Sequence, residues 1–324
     1  MFGLLLKKQL TEIFRGYFYN SKNNKKRSVG STIGFFILYL FLMVGVVGGM
    51  FVYLSITLCK PMYAAKMSWL YFIIMALLAI VLGTLGSVFN TFQQLYISKD
   101  NDLLLSMPIP IRSIVLARLA GVYLLGFMYS AVVIVPSVIV YWAVADINSK
   151  VIIGPVLLTV LVSVVVLILS CVLGWGVAKI SLKLKNKSFI TVIFSLLFIG
   201  LYYFVYYKVE KILQELLTNL AIYGNEVKAK ANILYLFGKI GEGYIPSMIG
   251  FTVTLVAVTV LVLAIISKSF IKIATSQGTV AKVRYKEKII KEKSPFKALL
   301  EKEMKKFTSN ANYMLNCGFG SIFV

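Results

Sequence analysis

Few polar groups in this sequence could do chemistry, and their placement narrows what that chemistry is. The chain has no histidine, which removes the commonest general base and the commonest metal ligand together. It has twelve acidic residues, among them Glu12, Asp100, Asp102 and Glu242, and none falls in the middle of an apolar run. Proton- and sodium-coupled carriers place ionisable or ion-coordinating groups at membrane depth, and an intramembrane protease needs a catalytic acid, base or metal. Neither class fits. Cys59, Cys171 and Cys317 are scattered, with no disulfide framework and no metal spacing. No G-x-x-x-x-G-K-[ST] run is present to cradle nucleotide phosphates. The expectation is therefore no catalytic, cofactor-binding or metal-ligating set in this chain, which does not read as an enzyme.

The chemistry left over is docking. Residues 93–113, QQLYISKDNDLLLSMPIPIRS, form a polar-then-apolar insert between two long hydrophobic runs. Lys99, Asp100, Asn101 and Asp102 supply side chains that accept the free N–H groups of a first helical turn. Leu103, Leu104, Leu105 and Met107 follow, and Pro108 and Pro110 then stop the helix, because proline lacks the N–H and restricts the residue before it. The spacing predicts a helix of one to two turns with an oily surface at the membrane edge. Two readings fit it: an interfacial turn resting its leucines on lipid or on its own span ends, and a docking knob for a partner protein.

The elements that must position this insert are membrane spans. Of the 324 residues 59% are hydrophobic and only 14% charged, and apolar runs of about 20 residues cross a bilayer as fully hydrogen-bonded helices. Six runs stand out, at 31–58, 68–92, 114–142, 151–178, 188–207 and 247–267. The fold expected is all-α: a polytopic helical membrane protein of six transmembrane helices plus the start of a seventh. The net charge of +22 is explained without nucleic acid, since 26 of the 34 lysines and arginines fall on one side of an up-down threading and eight on the other. By the positive-inside rule the N-terminus is cytoplasmic, and the lysines there also face anionic membrane lipids. Gly45-x-x-x-Gly49, Ala79-x-x-x-Gly83 and Ser170-x-x-x-Gly174 read as close-packing positions. Pro136 predicts a kink or break, and Pro155 sits near a helix start where proline is harmless. Arg118, inside the third run, is placed to snorkel back to the headgroups. Hydroxyls and aromatics such as Ser55, Thr84, Ser87, Ser130 and Tyr141 read as bundle packing or as the lining of a path for an amphipathic cargo.

Four regions follow from this layout. Residues 1–30 carry an amphipathic helix with Phe2, Leu5, Leu6, Gln9 and Ile13 on one face, suited to lie on the membrane surface, and then a basic hinge. Residues 31–267 form the six-span domain, with the insert at 93–113 and one long external loop at 208–246. In that loop 209–220 has helical apolar periodicity and 233–237 is a second apolar patch; the favoured reading is a helix on the outer leaflet, and the other is a lid or substrate-contacting cap over the exit path. Residues 268–310 are a basic cytoplasmic linker ending in a second amphipathic helix. Residues 311–324 read as the truncated start of another span. The segment at 296–307, FKALLEKEMKKF, echoes FGLLLKKQLTEIF at 2–14, with Phe2, Leu5, Leu6, Lys8 and Leu10 matching Phe296, Leu299, Leu300, Lys302 and Met304. A repeat of this kind opens a second, similar half.

The run D-x-D-L-L-L-S-x-P-I-x-x-R-x-I-V-L-A-R-L, from Asp100 to Leu119 between the second and third spans, resembles the permease subunits of type-2 ABC transporters. In that family this loop is the coupling element that docks into a separate ATPase. The resemblance implies that Asp100, Asp102, Leu103, Leu104, Leu105, Met107, Pro108 and Arg112 form a docking surface. It also implies that ATP and magnesium are bound by a separate ATP-binding subunit, and that a second permease half or a homodimer partner completes the path. The function implied is export of an amphipathic or hydrophobic substrate across the cell membrane. A scaffold or sensor using the same loop, and a passive lipid scramblase or channel, are the rival readings.

Overall fold

The computed structural model describes residues 2–19, 25–92, 94–95, 100–183, 200, 204, 207–208, 211–212, 214–276 and 294–309. In chain order the helices are α1 (Phe2–Ile13), α2 (Arg15–Phe18), α3 (Val29–Leu40), a π-helical stretch (Phe41–Val47), α4 (Gly48–Ala64), α5 (Ser68–Phe92), α6 (Asn101–Ser106), α7 (Ile111–Val144), α8 (Ser149–Lys183), α9 (Leu220–Lys230), α10 (Asn232–Gly241), α11 (Ile245–Ser276) and α12 (Pro295–Ser309). Apart from one isolated bridge, Tyr19 to Lys26, no strand occurs among the described residues. Five stretches are long and apolar enough to cross a membrane: Val29–Ala64, Ser68–Val88, Ile111–Val144, Ser149–Lys179 and Ile245–Lys268. The expected run at 188–207 falls almost wholly outside the described residues, as do residues 311–324 and Cys317.

Two compact units emerge, Met1–Ala178 with Asn219–Gly278, and Lys179–Thr218 with Thr279–Val324. In the second, Ser294 opens α12 by accepting the Lys297 N–H at 3.4 Å, and Lys305 pairs with Glu301 one turn away at 2.9 Å. Residues 214–218 are helical, as the periodicity of 209–220 predicts; Val209 and Leu213 lie outside the described residues.

In the first unit, small residues decide which spans form the core. A Cβ on Gly83 would stand 2.9 Å from Val166 and 3.0 Å from Ser130, one on Gly126 3.0 Å from Val166, and one on Gly174 3.0 Å from Thr91. Their absence lets α5, α7 and α8 approach closely. Hydroxyls zip the same seams, Ser87 with Ser170 at 2.5 Å and Tyr71 donating to the Ser137 carbonyl at 2.8 Å, and Ser55 of α4 joins α7 by donating to Ser137 at 3.3 Å. Ser55, Ser87, Ser130 and Tyr141 are all buried, so these residues pack the bundle. By contrast, Gly49 has nothing within 4 Å and Gly45 meets only Phe41 of its own helical stretch. That sequence motif is not a contact among the described residues. The most apolar window of Ser68–Val88 is 56% buried, whereas those of Val29–Ala64 and Ile245–Lys268 are 6% buried. The last two spans are peripheral.

The prolines sit inside helices. Pro136 makes no break in α7, which runs from Ile111 to Val144. Pro155 is not at a helix start but six residues inside α8, where it deprives the Val151 carbonyl of its usual i+4 donor. The Trp142 indole N–H replaces that donor at 2.9 Å.

The second apolar patch lies on α10, which is seated on the bundle by its C-terminal half, with Phe237, Gly238, Ile240 and Gly241 buried, while Ile233 and Leu234 stay exposed. Gly238 faces the Trp69 carbonyl, Gly241 faces the Phe72 ring, and Gly154 of α8 leaves room for the Ile240 carbonyl, 2.5 Å from where a Cβ would be. Three glycines thus admit a helix backbone where side chains would hold it off. Gly243, at φ +77°, turns the chain from α10 into α11.

Candidate functional site

The insert at 93–113 holds the short helix and the proline stop that its composition predicts. α6 spans Asn101–Ser106, Met107 is extended at φ −85° and ψ 152°, and α7 starts after Pro110. The Leu104 N–H donates to the Asp100 carbonyl at 2.9 Å, and the Ser106 hydroxyl to the Leu103 carbonyl at 2.8 Å.

Its leucines do not share one surface. Leu103 and Met107 are 58% and 43% exposed, and Pro108 and Arg112 are exposed beside them. Leu104 is buried in a cluster with Leu95, Ile114, Val115, Leu119, Cys171 and Ile266, and Leu105, Ile109 and Ile111 pack against that cluster half-buried. The oily surface expected over the whole run is therefore split. A helical turn points Leu104 and Leu105 at the spans and leaves Leu103 and Met107 outside, because side chains 100° apart cannot all face one way. The side chain of Asp102 and residues 96–99 lie outside what is described.

Asp100 departs from its expected role. Its side chain does not cap α6; it accepts a hydrogen bond and ion pair from Lys8 of α1. Lys8 also lies 3.6 Å from Glu12. Lys8 holds the Asp100 carboxyl below its ordinary value, aided by Glu12 and by the Arg118 charge. Burial raises the Glu12 carboxyl above its ordinary value, and the neighbouring Asp100 adds to the rise.

The expected membrane-surface helix is thus a clasp. α1 lies against α7, where a Cβ on Gly121 would stand 2.9 Å from Gln9 and 3.1 Å from Ile13. The Gln9 amide donates to the Gln94 side chain at 3.3 Å, and Leu5 packs on the Leu104 cluster. Of the apolar face read from the sequence, Leu5, Leu6, Gln9 and Ile13 are half-buried, and part of what covers them is protein.

Arg118 does not snorkel. It is 3% exposed, and its Nη1 donates to the Gln94 carbonyl at 3.0 Å and the Leu95 carbonyl at 3.1 Å. These are charge-assisted bonds to backbone carbonyls just past α5. Lys8, Glu12, Asp100 and Arg118 line one small cavity with Leu5, Gln9, Leu104, Ile114 and Ala117. Sequence reading missed this four-charge group. The signal available was Arg118 itself, the one base inside an apolar run, which needs a partner at that depth. Among the described residues no cluster of three or more metal-ligating side chains occurs.

A protein family model described as "Membrane protein of 12 TMs" matches residues 2–314, nearly the whole chain and both amphipathic helices. The chain belongs to that family. Neither a curated protein nor a solved structure matches it. Membership makes this a multi-pass membrane protein, in accord with its five apolar helices of spanning length.

Proposed function

We propose that this chain is the membrane-spanning permease of a transporter powered by a separate ATPase, which docks on the segment around α6. The observation that carries the reading is the split of that segment. Leu103, Met107, Pro108 and Arg112 stand outward on a short helix, while Leu104 and Leu105 root the same helix in a cluster drawn from α7, α8 and α11. A push on the exposed half is transmitted to three spans through packed side chains and the Arg118 bonds, which is what a coupling element must do. The resemblance of this run to type-2 ABC permeases supports the same reading. So does the lack of a phosphate-cradling loop, which leaves the energy to a partner that would bind ATP and magnesium. On this proposal the α1 end is cytoplasmic, the cargo is amphipathic or hydrophobic and exported, and a second half or a second copy completes the path in the cell membrane.

Co-purification of the chain with an ATPase encoded beside it tests the idea. Leu103→Asp and Met107→Asp each abolish capture while leaving thermal unfolding in micelles unchanged. Leu104→Asp is the wrong variant for this purpose, because it places a charge in the cluster and unfolds the segment itself. Undiminished capture with both outward variants would remove α6 as the docking site. Cargo movement in liposomes holding this chain alone would replace the powered reading with a passive one.

A further inference from the structure

At the end of the first unit away from α1, two cavities adjoin. One, of about 260 Å³, is lined by Lys66, Lys228, Lys239, Asn225, Trp69 and Tyr235, with Glu242 as its one carboxylate. Glu242 is already engaged, taking the Trp69 backbone N–H at 2.8 Å. None of the three lysines forms an ion pair among the described residues. The ammonium groups of Lys228 and Lys239 stand 5.5 and 5.3 Å from the centre of the same Tyr235 ring. The ring attracts each of them, but it does not remove the repulsion between two like charges gathered around it. Lys66 is brought to the rim by the turn between α4 and α5, at φ +57°. An anion in the cleft would satisfy all three.

The second cavity, of about 420 Å³, is a groove between α10 and α11 lined by Ile233, Leu236, Tyr244, Ser247, Gly250 and Phe251. Lys239 joins the two, because its ammonium also stands 5.0 Å from the Tyr244 ring. The Ser247 hydroxyl in the groove is buried and has no hydrogen-bond partner among the described residues. α11 is one of the two peripheral spans, so the groove lies where acyl chains are.

We propose that these cavities together hold one anionic glycerophospholipid, its phosphate among Lys66, Lys228 and Lys239 and one acyl chain along the α10–α11 groove. The groove favours a lipid over a free phosphate. A zwitterionic headgroup brings its own cation and leaves the lysines unrelieved. The Ser247 hydroxyl is free to donate to an ester carbonyl. The site does not depend on what docks at the α1 end.

Native mass spectrometry of the full chain, released from nanodiscs of equal phosphatidylglycerol and phosphatidylcholine, reads this directly. One phosphatidylglycerol is retained at least tenfold over phosphatidylcholine. A triple variant, Lys66→Asn with Lys228→Gln and Lys239→Gln, retains the two lipids equally; asparagine keeps the positive φ at 66 acceptable. Should the triple variant fail to fold in lipid-free detergent, Lys228→Gln alone, at an exposed position, lowers the preference severalfold. Gly250→Leu fills the groove without a clash, since a Cβ there meets nothing within 4 Å, and it lowers retention at least tenfold. Equal retention by the unaltered protein, or a lysine variant that keeps the preference, overturns the proposal. Glycerol phosphate binding as tightly as the lipid would show an anion site without a lipid, and retention unchanged in Gly250→Leu would remove the groove; either result also overturns it.

Discussion

The two ends of α5 meet the same problem with opposite charges. At its first turn the Trp69 N–H points out of the helix, and the Glu242 carboxylate accepts it. Just past its last turn the Arg118 guanidinium donates to the carbonyls of Gln94 and Leu95. An acid at the start and a base at the finish complement the partial charges at helix ends. The surroundings differ. Around Arg118 two bases, Lys8 and Arg118, face two acids, Glu12 and Asp100, so the group is internally balanced. Around Glu242 three lysines face one carboxylate. Balanced charge clasps α1 and α6 to the spans, and unbalanced charge leaves one end open to an anion. Burial raises the Glu242 carboxyl above its ordinary value, with the Trp69 N–H and Lys239 opposing that rise.

The sharpest way to break this symmetry is to remove each cap in turn. Arg118→Met removes two hydrogen bonds donated by a buried guanidinium and costs about 3 kcal/mol, measured as unfolding in micelles. Glu242→Ala removes one acceptor at a partly exposed site and costs about 1 kcal/mol. Equal losses would mean that the two caps are equivalent and that burial does not separate them.

A middle-sized effect separates packed glycines from idle ones. Gly154→Ala, which drives a methyl group against the α10 backbone, costs about 1–3 kcal/mol. Gly49→Ala, with open space around it, is neutral or stabilising by up to about 1 kcal/mol, since alanine is the better helix former. Comparable losses at both would place an unseen neighbour against Gly49.

The smallest effect is in pH. Asp100 is held below its ordinary value of 3.8, so its contribution to clasping α1 is complete above that value and fades as pH falls through the lower folded-state value. Glu12 is raised above 4.5, so its contribution is present below that value and fades as pH rises through the higher one. The clasp is tightest near pH 4–5, on the ordinary carboxylate scale. Spin labels at the exposed positions Leu4 and Leu116 read it as a distance distribution that is narrowest there and broadens on further acidification. A distribution broadest near pH 4–5 would show that these carboxyls do not govern the clasp.

Legibility followed length and charge. The apolar runs at 31–58, 68–92, 114–142, 151–178 and 247–267 all appear as helices close to their expected bounds, because an uninterrupted apolar stretch of that length has one stable form in a bilayer. The break at Pro108 and Pro110 was legible for the same local reason. Contacts between distant segments were not. Nothing near Lys8 in sequence announces Asp100, and the Trp142 indole that rescues the Val151 carbonyl is visible only once α7 and α8 lie side by side.

The sequence by itself determined that the chain crosses membranes as helices, where its short helix–proline segment lies, and which face of α1 is apolar. Those are consequences of hydrophobic length, of proline stereochemistry and of a 3.6-residue period. Only the tertiary structure decided what covers that face, which leucine of α6 points outward, and whether Arg118 meets water or carbonyls. Each depends on the free energy of burying a group against one particular neighbour, and that neighbour is chosen by the packing of the whole unit.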